Sequence, residues 1–107
     1  MTRVLLLCTH NRLRSPTAEQ VFAFWPGIET DSAGLGADVP LSPEQLAWAQ
    51  IVFVMEKKHK ARLSSGFRHR LNGKRVVCLD IPDEYAYMQS ELVRLLKTKA
   101  GRFLRQA

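Results

Sequence analysis

Four strand-like runs, at residues 4–7, 28–33, 51–55 and 76–79, alternate with four stretches of helical character, at 16–25, 43–49, 57–65 and 88–104. That alternation argues for a parallel sheet with helices on both faces, a three-layer α/β architecture, and right-handed crossovers then restrict its topology. A chain of 107 residues that is 46% hydrophobic reads as one domain over residues 1–107, with no repeat, low-complexity tract or linker to divide it. Turn signals separate the runs: Pro26-Gly27 before the second, Gly34 and Gly36 after it, and Asn72-Gly73 before the fourth. Ser42-Pro43-Glu44-Gln45 has the form of a capping box, with Ser as N-cap and Pro at the first helical position. At the C-terminal end, Met88, Leu92, Leu95, Leu96 and Phe103 share one face of an amphipathic helix expected over residues 88–104.

The first run carries the chemistry. Val4, Leu5, Leu6 and Leu7 are continuously apolar, as in a strand buried on both faces, and they stop at Cys8. Ser15-Pro16 reads as a helix start, with Ser15 as its cap. The residues between curl across a helix N-terminus, where unpaired backbone N–H groups and the positive end of the macrodipole favour an anion. A thiolate, the nucleophilic form of cysteine, is favoured in such a place beside an arginine. Arg14 adds a planar fork of donors matched to two phosphate oxygens. Nucleophile, anion cradle and arginine together specify attack on a phosphoryl group.

Cys8, five intervening residues, then Arg14-Ser15-Pro16 after a hydrophobic strand resembles the signature of the low-molecular-weight protein tyrosine phosphatases, a family that includes thioredoxin-coupled arsenate reductases. The resemblance implies a flavodoxin-like sheet in the order 2-1-3-4. It implies a phosphocysteine on Cys8, phosphate binding by Arg14, loop support by Asn11 and a Ser15 hydroxyl that supports the thiolate. Thr9, His10, Arg12 and Leu13 complete the loop. His10 stands where the family commonly has Gly, and Leu13 where it often has a second Cys. TDSAG at residues 30–34 and AQIVFVMEKKH at 49–59 also resemble the family, and Ser32 is expected to help fix the loop around Cys8.

Expelling an alkoxide or phenolate from phosphorus needs a proton donor near the leaving oxygen, at the carboxyl end of another strand. The fourth run leads into Asp80, Asp83 and Glu84. By resemblance to a V-P-D-P-Y segment, Asp83 is the general acid and Tyr85 an aromatic of the cleft, with Glu84 in place of the second Pro. Glu56, at the end of the third run, reads as a solvated acid among lysines.

The formal charge of +6 suits anionic ligands. Lys57, Lys58, Lys60, Arg62, Arg68, Arg70, Lys74 and Arg75 face no acid within 57–75, a stretch read as solvated surface in preference to a nucleic-acid face, since no aromatic-rich motif accompanies it. Two cysteines, with no secretory signal and no membrane-length apolar run, imply a reduced, cytoplasmic protein. No metal-ligand spacing or nucleotide-binding glycine motif is present, so neither metal nor cofactor is implied. The expected partner is a phosphorylated substrate, either a phosphotyrosine protein or a small aryl phosphate. A phosphate- or RNA-binding module without catalysis is the alternative. Arsenate reduction ranks lower, because Cys78 is the one further cysteine and lies inside the fourth run, where burial is expected.

Overall fold

The computed structural model describes residues 1–10, 13–36 and 40–105. Four strands, β1 (Thr2–Cys8), β2 (Ile28–Gly34), β3 (Ile51–Val54) and β4 (Arg75–Cys78), form a parallel sheet in the order β2-β1-β3-β4. The helices are α1 (Arg14–Phe22), α2 (Pro43–Trp48), α3 (Lys57–Phe67), α4 (Ser90–Lys99) and α5 (Gly101–Arg105), with a 3₁₀ turn over Arg68–Leu71. The fold class and the strand order are those expected from the sequence.

Strand periodicity divides the core into two clusters. Val4, Leu6 and Cys8 point to the face that packs against Ala18 and Phe22 of α1 and Leu92 and Leu96 of α4. Leu5 and Leu7 point to the other, with Leu46 of α2 and Leu63 of α3. All four residues of β3 are buried, as a strand covered on both faces requires. Left-handed backbone at Gly27 (φ +76°) and Gly73 (φ +78°) makes the two turns marked by Pro26-Gly27 and Asn72-Gly73. The Ser42 capping box forms in both directions: Gln45 N–H donates to Ser42 Oγ at 3.2 Å, and Ser42 N–H donates to Gln45 Oε1 at 3.0 Å. Such a cap stabilises a helix by about 1 kcal/mol.

Three expectations need correction. The first helix starts at Arg14 with Leu13 as its N-cap, so Ser15 lies inside the first turn and caps nothing. Pro16 is tolerated there because the first-turn N–H groups have no partner within the helix. The expected helix over 88–104 starts at Ser90 and is broken between Lys99 and Gly101. Met88 is excluded because its φ is +59° and its N–H donates to the Thr17 hydroxyl instead of a helix carbonyl. Gly101, which disfavours a helix interior by about 1 kcal/mol relative to Ala, begins the second piece, whose Leu104 remains buried. Cys78 is half-buried, not buried: β4 is an edge strand, so no neighbouring strand covers it. Its thiol lies 3.5 Å from Asp80 Oδ1, and burial is the main cause pushing its pKa up.

No helix among the described residues is long and apolar enough to cross a membrane.

Candidate active site

The site lies beyond the carboxyl ends of β1, β3 and β4. Backbone pairing continues past each strand: Met55 N–H bonds the Leu7 carbonyl, Leu79 N–H the Val54 carbonyl, and Ile81 N–H the Met55 carbonyl. On the other side, Leu35 N–H bonds the Cys8 carbonyl and Gly36 N–H the Thr9 carbonyl. These ladders bring residues 8–10, 34–36, 55–56 and 81–83 to one rim.

A cavity of about 270 Å³ opens there, lined by Cys8, Thr9, His10, Leu13, Arg14 and Asp83. Cys8 is 3% exposed. Arg14 is 2% exposed, yet a buried guanidinium requires partners, and it has them. Its Nη1 donates to Glu56 Oε2 at 2.6 Å and to the Ile81 carbonyl at 2.7 Å, and its Nε lies 3.8 Å from Asp83 Oδ1. The Asp83 side chain is 60% exposed, a rim position from which it meets solvent and cavity alike. It does not cap the C-terminal helix, whose N-cap is Gln89. The Ser15 hydroxyl is fully buried and without a hydrogen-bond partner among the described residues. Asn11 and Arg12 lie outside the described residues.

Two further candidates sit elsewhere. Among the described residues, the Ser32 hydroxyl donates to Glu19 Oε1 and so ties β2 to α1, with no bond to the described part of the Cys8 loop. Tyr85 packs, partly buried, against the α1/α4 cluster and shares a shallow groove with Glu91, Arg94 and Leu95. It does not line the Cys8 cavity.

Glu56 and His59 were not expected. Glu56 is no solvated acid: the Arg14 bond holds its carboxyl below the usual range, and the Arg14 and Lys58 charges add to the effect. His59 is buried at 3% exposure. Glu56 N–H donates to its Nδ1 at 3.0 Å, so the ring proton sits on Nε2, which donates to Thr9 Oγ1 at 2.8 Å. Burial first, and then the Arg14 charge, lower the His59 pKa to about 4, with Glu56 and Asp83 opposing. A neutral imidazole therefore pins the side chain next to Cys8. The signal was present in Glu-x-x-His directly after the third strand, obscured by its lysines.

This pair has a pH signature. Unfolded His59 takes up a proton near pH 6.5 that the folded site accepts only near 4, so stability is expected to fall as pH drops through that window. Glu56, with its folded pKa below 4.5, contributes stability above that value and loses it at still lower pH. Urea melts between pH 7.5 and 3.5 check both: His59→Gln should flatten the upper window and leave the lower one.

Among the basic residues of 57–75, Lys74 is partly buried and bonds the Ala49 carbonyl at 2.6 Å, and the Arg75 guanidinium stacks 4.8 Å from the Phe103 ring centroid. Lys57, Lys58, Lys60, Arg62, Arg68 and Arg70 are exposed.

No family model matches the sequence, and no curated protein matches it significantly. Solved structures do match. The YwlE arginine phosphatase from Geobacillus stearothermophilus is 22% identical with a TM-score of 0.81, over 99% of this chain and 95% of that one. The tyrosine phosphatase Wzb from Escherichia coli K30, in complex with phosphate, is 20% identical with a TM-score of 0.80, over 97% and 96%. A serine variant of the YwlE arginine phosphatase whose active-site serine is phosphorylated is 24% identical with a TM-score of 0.74, over 96% of each chain. Matched from end to end by these structures, the four parallel strands in the order 2-1-3-4 give this chain the fold of the low-molecular-weight phosphatases.

Proposed function

We propose that this protein hydrolyses phosphomonoesters through a phosphocysteine. Cys8 Sγ attacks phosphorus, the S–P bond forms as the bond to the leaving oxygen breaks, and Asp83 gives that oxygen its proton. The Asp83 carboxylate then takes a proton from water, whose oxygen attacks phosphorus and releases the Cys8 thiolate and inorganic phosphate. Arg14 holds the phosphoryl oxygens in both steps, and the orphaned Ser15 hydroxyl supports the thiolate. In the same proposal the anion cradle is the loop of Thr9, His10, Asn11, Arg12 and Leu13, of which Asn11 and Arg12 lie outside the described residues. No metal or cofactor enters this chemistry, and a cysteine nucleophile suits a reducing, cytoplasmic setting.

The observation that carries the reading is that Cys8 and Arg14, from the two ends of one loop, and Asp83, from a distant part of the chain, line one cavity at the start of α1. The phosphate held by Wzb and the phosphorylated active-site serine of the YwlE variant support phosphate binding and a covalent step on this fold. Aryl phosphates, phosphotyrosine proteins among them, are the proposed substrates, with phosphoarginine as the competing class to be measured. Arsenate reduction by disulfide relay is disfavoured: β3 separates the strands of Cys8 and Cys78, an interval on the order of 10 Å, where a disulfide needs Cα atoms within about 7 Å.

The test is turnover of phenyl phosphate and nitrophenyl phosphate in chelator, by the native protein and by Asp83→Asn. A nitrophenolate departs almost unaided and a phenolate does not, and general acids typically contribute about 10²–10⁴-fold. The variant should lose about ten-fold more on the phenyl ester than on the nitrophenyl ester. Equal losses would move the proton donor elsewhere, and an inactive native protein that still binds phosphate would favour a binding module.

A further inference from the structure

We propose that Thr17 is a positioning residue that holds the Asp83 loop over Cys8, a role that rests on the phosphatase reading. Residues 81–88 leave the end of β4 without helix or strand structure and carry the proposed acid. Such a segment keeps one conformation only if its surroundings impose it. The first turns of α1 grip it at both ends. Arg14 Nη1 donates to the Ile81 carbonyl, and Met88 N–H donates to Thr17 Oγ1 at 3.0 Å. Thr17 Oγ1 in turn donates to the Leu13 carbonyl at 2.6 Å, and Leu13 lines the cavity. A threonine inside a helix commonly bonds the carbonyl four residues back, and that bond alone would be unremarkable. Here the same oxygen also accepts a hydrogen bond from the backbone N–H of a residue 71 positions away. One fully buried hydroxyl thus joins the wall of the nucleophile loop to the far end of the acid loop.

Backbone geometry at that end agrees. Met88 has φ +59°, a left-handed conformation that a side-chain-bearing residue adopts at a cost and keeps only where neighbours over-determine it. Asp80, at the other end of the segment, has φ +53°. The loop is therefore hinged between two left-handed residues, each next to a bond from α1. Valine has the shape of threonine and can make neither hydroxyl bond, whereas serine can make both.

The experiment compares Thr17→Val, Thr17→Ser and the native protein on phenyl and nitrophenyl phosphate, alongside hydrogen exchange of the Met88 amide. Thr17→Val should lose about ten-fold in kcat on the phenyl ester and less than about two-fold on the nitrophenyl ester, with Met88 exchange accelerated about ten-fold or more. Thr17→Ser should restore both. Met88→Gly, which takes the left-handed conformation without strain, should recover part of the phenyl ester rate in the Thr17→Val background. Equal loss on both esters would mark a merely structural role, and unchanged Met88 exchange would remove the clasp itself; either overturns the proposal. A native protein inactive on both esters refutes the phosphatase reading, and a positioning role for Thr17 falls with it. An active native protein whose leaving-group dependence ignores Thr17 refutes this inference alone.

Discussion

Cys8→Ser is expected to lower turnover of aryl phosphates by at least about 10⁴-fold while phosphate and tungstate still bind, because the backbone cradle and Arg14 remain. The change is nearly isosteric, and Cys8 is buried at the end of β1, so the fold has little reason to respond. A hydroxyl is far less acidic than a thiol, so the attacking anion becomes scarce, and a phosphoserine once formed has a much poorer leaving group than a phosphocysteine. Rapid acid quench of the native protein during turnover should show a phosphate-sized mass increment on the peptide containing Cys8. A serine variant within ten-fold of the native rate would end the covalent mechanism.

The second large effect belongs to Arg14→Lys. Loss of a single oriented donor to a developing anion costs about 10²–10³-fold in other enzymes, and lysine offers a point charge where the planar fork made several oriented contacts. kcat/KM should fall by a factor in that range or above it. Arg14 Nη1 is committed to Glu56 and the Ile81 carbonyl, so the substitution also releases the carboxylate and one end of the acid loop. Glu56→Gln separates the two roles: it keeps a hydrogen-bond acceptor, removes the charge, and should cost about ten-fold or less. The cycle should be non-additive, with Arg14→Lys milder in the Glu56→Gln background, since residues in direct contact couple. Additive losses would mean that Glu56 does not orient the guanidinium.

Much of this molecule could be read from local pattern. The apolar run ending at Cys8, the spacing to Arg14 and the Ser42 cap are contiguous signals, and the structure contains the strands and the cap they imply. Glu56 was misread because its sequence neighbours are lysines, while its partner Arg14 is 42 residues away. His59 was hidden in the same charged stretch, where burial is the last property its neighbours suggest. Thr17 looks like any threonine in a helix until Met88 arrives from the other end of the chain. Ser15 failed as a cap for a different reason: the helix gained two residues at its start by beginning at Arg14, whose side chain is held by the loops after β3 and β4, which no local rule contains.

The partners of Arg14 also bear on how the chain reaches its native state. They come from residues 56, 81 and 83, so the guanidinium is oriented only after β3 has docked beside β1 and β4 beside β3. Contacts so distant in sequence carry a loop-closure cost that early folding species have not met. A partly folded chain therefore has the cysteine and the start of α1 without the arginine geometry that receives a phosphate. An anion that binds there selects the finished sheet, and at a hundred times its dissociation constant it would stabilise the native chain by about 2.7 kcal/mol. On the proposed phosphatase reading, phosphate concentration would then act on folding as well as on the chemistry.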